Sequence, residues 1–129
     1  MIGAQNRYRG GWELTESALV EAHKLALSND VRFAVIFVPY FEHVYWEYIR
    51  DDVNGYDVEM LDEVAAKLVS ICTENGILLI DLVPGSTEQA LAGERLCYQI
   101  DGHWNEAGHD LAAEIRYEKL VQEGLISEY

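Results

Sequence analysis

Basic residues are scarce: lysine and arginine together number 9 against 23 aspartates and glutamates, which leaves a formal net charge of −14. That deficit argues against nucleic acid or an anionic membrane as partner, because both are polyanions bound through cationic side chains. It favours a soluble chain but identifies no substrate, since an acidic surface is usually a solvated face. Long apolar runs are missing too: none approaches the ~20 residues needed to cross a bilayer. Met1 to Gly11 contains arginines with no apolar stretch behind them, so no signal peptide is expected, and the compartment stays open. Cysteine occurs only as Cys72 and Cys97. Cys72 falls on the apolar side of an expected helix, as a buried thiol would. A disulfide between the two depends on geometry that spacing does not supply. No internal repeat, low-complexity tract or interdomain linker divides the chain, and no cofactor is expected.

The chain has 129 residues, half of them hydrophobic and a quarter charged. This is enough for one globular domain over 1–129 and not for two. The first eleven residues, rich in Gly, Arg and Asn, read as an irregular lead-in. Thr15 fits the N-cap of a helix to about Ser28, with Ala18, Ala22, Leu25 and Ala26 at helical spacing. Arg32 to Val38 is β-rich, and its six consecutive apolar residues suit a strand buried on both faces. Tyr40 to Arg50 reads as a short aromatic helix, and Asp51 to Gly55 as a polar turn. Asp57 to Asn75 carries the clearest amphipathic stripe, namely Met60, Leu61, Val64, Ala65, Leu68, Ile71 and Cys72, ended by Gly76. Ile77 to Ile80 is a second buried strand. Ser86 to Ala92 reads as one or two helical turns. Gly93 to Ile100 is a connector with room for a short strand. Asn105 to about Glu123 is a helix with Ala107, Leu111, Ala112, Ile115 and Leu120 facing inward. The order is that of an α/β fold with parallel strands. Two strands leave sheet edges unpaired, so neighbouring strands are expected from another segment: a longer parent protein or a second copy of this chain.

The chemistry concentrates in Asp101-Gly102-His103-Trp104-Asn105. A carboxylate beside an imidazole fixes which ring nitrogen holds the proton and stabilises the imidazolium formed on proton uptake. An Asp-x-His pair by itself is more often a surface turn. Asp101, His103 and His109 are also metal-ligand types, but the histidines are six positions apart, which on a helix places them on different faces. Trp104 fits a core position at the helix start, or a shield for the imidazole. His109 fits a half-buried, satisfied histidine, or a donor to the loop backbone. His23 and His43 fit the surface. Asp81 lies where open α/β sheets place their sites, yet it also fits a loop cap. Tyr40, Phe41, Tyr45, Trp46 and Tyr48 fit a packing helix better than the wall of a sugar or acyl pocket.

The run Asp101-Gly-His-Trp-Asn-Glu-Ala-Gly-His109, followed by Leu111, Ala112 and Ala113, resembles the C-terminal motif block of the SGNH (GDSL-type) hydrolases. The likeness is greatest to the alginate O-acetyltransferase-like branch. Phe37-Val-Pro39, Val44-Tyr45 and Ile80-Asp81-Leu82 extend it, over roughly residues 13 to 123. The resemblance implies a flavodoxin-like three-layer fold, here with its N-terminal strands missing. It also implies His103 as general base, Asp101 as its orienting partner, and an ester, such as an acylated carbohydrate, as substrate.

The same resemblance identifies what is not here. The family's nucleophile sits in a Gly-Asp-Ser motif after the first strand, and this chain has no such motif. Its serines are Ser17, Ser28, Ser70, Ser86 and Ser127. Only Ser86 follows a strand and precedes a helix, and with Gln89 it fits a capping box instead. Asn29 and Asn54 belong to no recognisable oxyanion block. The expectation is therefore the Asp-His part of a Ser-His-Asp triad in an ester hydrolase or O-acyltransferase portion, inactive alone. The alternative is a non-catalytic α/β module that associates with its own copies through the open sheet edge.

Overall fold

In the computed structural model, which describes residues 5–53 and 58–128, the chain is mixed α/β. The order is α1 (Gln5–Ser28), β1 (Ala34–Phe37), α2 (Phe41–Ile49), α3 (Val58–Glu74), β2 (Leu78–Asp81), α4 (Val83–Leu91) and α5 (Glu106–Gln122). β1 and β2 pair in parallel, with Ala34 opposite Leu78 and Phe37 opposite Asp81. α2 and α3 form the connection between them. Asn54, and part of the turn expected over 51–55, lie outside the described residues.

Two facts fix the orientation of the sheet. Leu82 N donates to Phe37 O, so Phe37 turns its backbone polar groups toward β2. In a parallel ladder alternate residues do the same; Val35 therefore faces β2, while the N–H and C=O of Ala34 and Ile36 face the outer edge. Side chains alternate between the two faces. Ile36 shares the face of its partner Ile80, which packs with Leu82 and Ala112 of α5. α5 covers β2 on that face and leaves β1 open: Ile36 is 42% exposed and Val38 54%. The first strand is thus not buried on both faces as its apolar run suggests. An apolar run reports what a strand can bury, not what is present to cover it.

The core lies on the β2 side. Val44, Ala90, Leu96 and Cys97 form one buried group; Ile80, Leu82 and Ala112 form another. Trp104 packs against both groups, so a single indole ties the α2–α4 layer to the sheet and α5. α3 seats Leu61, Ile71 and Cys72 inward and leaves Met60 outside, 45% exposed. Gly76, at φ +65, ends it in the left-handed conformation that glycine adopts at least cost. Cys72 and Cys97 are both buried free thiols.

Four local expectations are corrected. The N-terminal stretch is helical from Gln5, not irregular to Gly11. Thr15 therefore lies inside α1, and its hydroxyl donates to Gly11 O, one turn back, instead of capping. The face of α1 is also shifted: Leu25 points outward, 67% exposed, while Leu19, Val20, Ala22 and Ala26 are half-buried. Ala107 of α5 is exposed, and Gly108 takes its place against the core. Among the described residues, no helix is long and apolar enough to cross a membrane.

Candidate active site

The Asp101–His103 segment is the tip of a loop closed at its base by the bridge between Cys97 and Trp104. Tyr98 N donates to His103 O at 2.8 Å, and Asn105 N donates to Leu96 O at 3.0 Å. Asn105 then performs two tasks. Its Nδ2 donates to Arg95 O at 2.6 Å, and its Oδ1 accepts from Gly108 N at 3.0 Å. It is thus the N-cap of α5 as well as the clasp that ties the helix start to the connector. Tyr45 holds the connector from the other side. Its hydroxyl accepts from Leu96 N at 2.7 Å and donates to Glu94 O at 3.3 Å. Gly108 permits this closeness, because a Cβ there would meet the Leu96 carbonyl.

Within the loop, Gly102 adopts φ +69, which folds residue 103 back over residue 101. The two predicted site residues are brought together. His103 N donates to Asp101 Oδ1 at 3.0 Å, and Asp101 Oδ2 lies 3.2 Å from His103 Nδ1. The carboxyl of Asp101 is held below its ordinary range, first by the backbone N–H of His103 and secondarily by the imidazole. With Nδ1 engaged, Nε2 remains as the proton-accepting position, the arrangement a general base requires. The His103 side chain is 82% exposed and that of Asp101 56%. Both stand open to whatever approaches.

His103 borders a groove of about 550 Å³ at the carboxyl ends of the strands. Val38 and Pro39 form one wall, Phe41 and Tyr40 the rim, and Trp104, His109, Ala112 and Arg116 the α5 side. This is where open α/β sheets place ligands. Among the described residues, no serine, threonine or cysteine lines it. Ser86 is 1% exposed inside α4, away from the groove, and is not the cap that its spacing to Gln89 suggests. The start of α4 is set earlier, by Asp81 Oδ1 accepting from Val83 N at 2.9 Å and by Pro84 in the first turn. Asp81 is therefore a loop cap. Pro84 was the signal that placed the helix start ahead of Ser86. Burial pushes the Cys97 thiol up, and the charge of Asp101 adds to this, so Cys97 is no substitute nucleophile at neutral pH.

The remaining candidates sort cleanly. Tyr45 packs, stacked on Phe41 at 4.8 Å; Tyr48 is 56% exposed, with its hydroxyl donating to Ala90 O at 3.1 Å, and Tyr40 and Phe41 line the groove. His109 is exposed rather than half-buried, with its ring edge-on to Trp104 at 6.1 Å. His43 is not a surface position. Its side chain is 8% exposed, with Nε2 2.9 Å from Asp62 Oδ1 across α2 and α3. No local spacing reveals that pair, because the partners are on different helices. Arg116 was legible but missed: with Ala112 and His109 it forms a 3.6-period stripe on α5. Among the described residues, no three metal-ligating side chains cluster. Compared with protein-family models, with curated proteins and with solved structures, the chain matches none.

Proposed function

We propose that the chain is the Asp-His portion of an ester hydrolase or O-acyltransferase of SGNH type, with a flavodoxin-like sheet continued beyond β1 by strands from another segment. The observation that carries the reading is the Asp101–His103 pair, closed at 3.2 Å through Nδ1, on a groove with no serine, threonine or cysteine among its described lining residues. In the completed site a serine hydroxyl gives its proton to His103 Nε2 and attacks the ester carbonyl. The tetrahedral intermediate then expels the alkoxide, which takes that proton back from the imidazolium. The acyl group, now on the serine, passes to water or a sugar hydroxyl with His103 again as base. Asp101 holds the ring and balances its charge in each half-reaction.

The serine enters beside β1 on this reading. Among the described residues no strand pairs with the outward N–H and C=O groups of Ala34 and Ile36, and a neighbouring strand there would end next to His103. The test is hydrolysis of an aryl acetate by the chain alone and by the complete product of its gene. The 129 residues alone should be inactive. The complete product should be active and should lose activity in His103→Ala but not in Lys24→Ala, a residue of α1 outside the groove. Activity of the chain alone that depends on His103 would overturn the reading.

A second reading is favoured by the exposure of Ile36 and Val38 on the same open edge. Another copy of the chain covers it, and the module is non-catalytic. The charge of −14 on each copy opposes this association. Light scattering across a concentration and salt series decides it: a monomer at high salt and high concentration removes this alternative.

A further inference from the structure

The charge of the groove is opposite to that of the molecule. The chain carries 23 Asp and Glu residues, yet among the described residues none lines the groove. Among the described residues its ionisable lining groups besides Tyr40 are His103, His109 and Arg116, all of them cationic when protonated. Asp101 lies on the outer side of His103, in the adjoining depression that also holds Glu42. Arg116 is half-buried, and its Nε donates to Ala112 O at 3.0 Å. That bond folds the side chain back along α5, toward the end where His103 stands. It uses one donor and leaves the terminal guanidinium nitrogens without a carboxylate partner among the described residues. Lys24, Arg50 and Lys119 each pair with a neighbouring glutamate; among the described residues Arg32, Lys67 and Arg95 show no ion pair either, but Arg116 alone of these lines the groove.

A guanidinium stays charged at every physiological pH and matches a carboxylate through two parallel N–H donors. Placing one in a wall of Val38, Leu82 and Trp104 without an internal counter-ion disfavours an empty, dry groove. It favours a ligand that supplies the missing negative charge together with an apolar or ring-shaped body. We propose that Arg116, with His109 beside it, forms an anion subsite in this groove, and that it selects ligands bearing a carboxylate on a ring or apolar skeleton. Calling that ligand a substrate rests on the acyl-transfer reading; the binding itself does not.

The experiment uses the whole chain, labelled with ¹⁵N, at neutral pH and low ionic strength. Benzoate is titrated against benzyl alcohol, which has the same ring and no charge. Benzoate should shift the Trp104 indole and Arg116 Nε–H resonances saturably and bind about tenfold or more tightly than benzyl alcohol, as expected for a charge-assisted bond. Added salt should weaken benzoate and not benzyl alcohol. Arg116→Gln should bring benzoate down to the affinity of benzyl alcohol, and Arg116→Lys should recover part of the difference. Lys24→Ala, on α1 outside the groove, should leave benzoate affinity unchanged. Equal affinity for the two probes, benzoate binding that Arg116→Gln leaves unchanged, or no shift at Trp104 and Arg116 would overturn the subsite. Benzoate binding retained in a complete gene product that shows no ester hydrolysis would overturn only the acyl-transfer reading.

Discussion

Replacing Gly108 by alanine should destabilise the protein, although the same change in an ordinary helix stabilises it. Alanine gains about 1 kcal/mol over glycine from helix propensity. At position 108 the added Cβ would lie less than 3.0 Å from the Leu96 carbonyl oxygen and 3.2 Å from Trp104 Cβ. The first of these is backbone and cannot rotate away. α5 must move off the connector, which strains the Asn105 N to Leu96 O bond at 3.0 Å and the Asn105 cap on Gly108 N. Overpacking of this kind costs roughly 1–3 kcal/mol, and a weakened cap with its hydrogen bond adds about 1–2. The losses exceed the propensity gain, for a net destabilisation of about 1–4 kcal/mol. Urea denaturation followed by circular dichroism reads this directly, with the midpoint falling at unchanged slope. Gly11→Ala is the internal control: nothing lies within 4 Å of its added Cβ in α1, so it should stabilise by roughly 0.5–1 kcal/mol. Stability of Gly108→Ala equal to or above that of the parent would refute the close approach of α5 to Leu96, and with it the seating of the Asp101–His103 loop.

Tyr45→Phe removes the acceptor for Leu96 N and should cost about 1–3 kcal/mol in the same assay, because a half-buried donor is left unpaired. Asp101 should titrate below the usual carboxylate range by carboxyl ¹³C NMR. Because the backbone N–H of residue 103 is the first cause, most of that shift should survive His103→Ala. The sign of its linkage follows: a lowered folded pKa means that its stabilising effect is fully present above the unfolded value and fades as pH falls through the folded one. Acid, not base, should therefore loosen the loop. Both thiols, raised by burial, should react slowly with a disulfide reagent in the native protein and fast in urea.

The elements most legible in the sequence were those whose own residues decide them. α3 declares itself through a 3.6-residue stripe and Gly76, and α5 through Asn105 as cap. Each falls within about a residue of its expected span. The Asp101–His103 contact was legible because it is local: two residues, one intervening glycine and a turn. Misreadings arise where the deciding partner is distant in sequence. β1 looked fully buried because its apolar run is indifferent to whether a neighbour strand is present. His43 looked exposed because Asp62 belongs to another helix. Ser86 looked like a cap because its spacing to Gln89 permits one, while Asp81 and Pro84 had already started α4 three residues earlier. The N-terminal part of α1 was hidden by its glycines, Gly10 and Gly11, which lower helix propensity without forbidding a helix.

The most direct test of the central claim is the ¹⁵N spectrum of the His103 ring at a pH where the ring is neutral. With Asp101 Oδ2 3.2 Å from Nδ1, the proton should reside on Nδ1 and leave Nε2 as the basic nitrogen. Asp101→Ala should return the ring to the Nε2–H form that free histidine favours. A ring protonated on Nε2 in the parent protein, unaffected by loss of the carboxylate, would show that Asp101 does not steer His103.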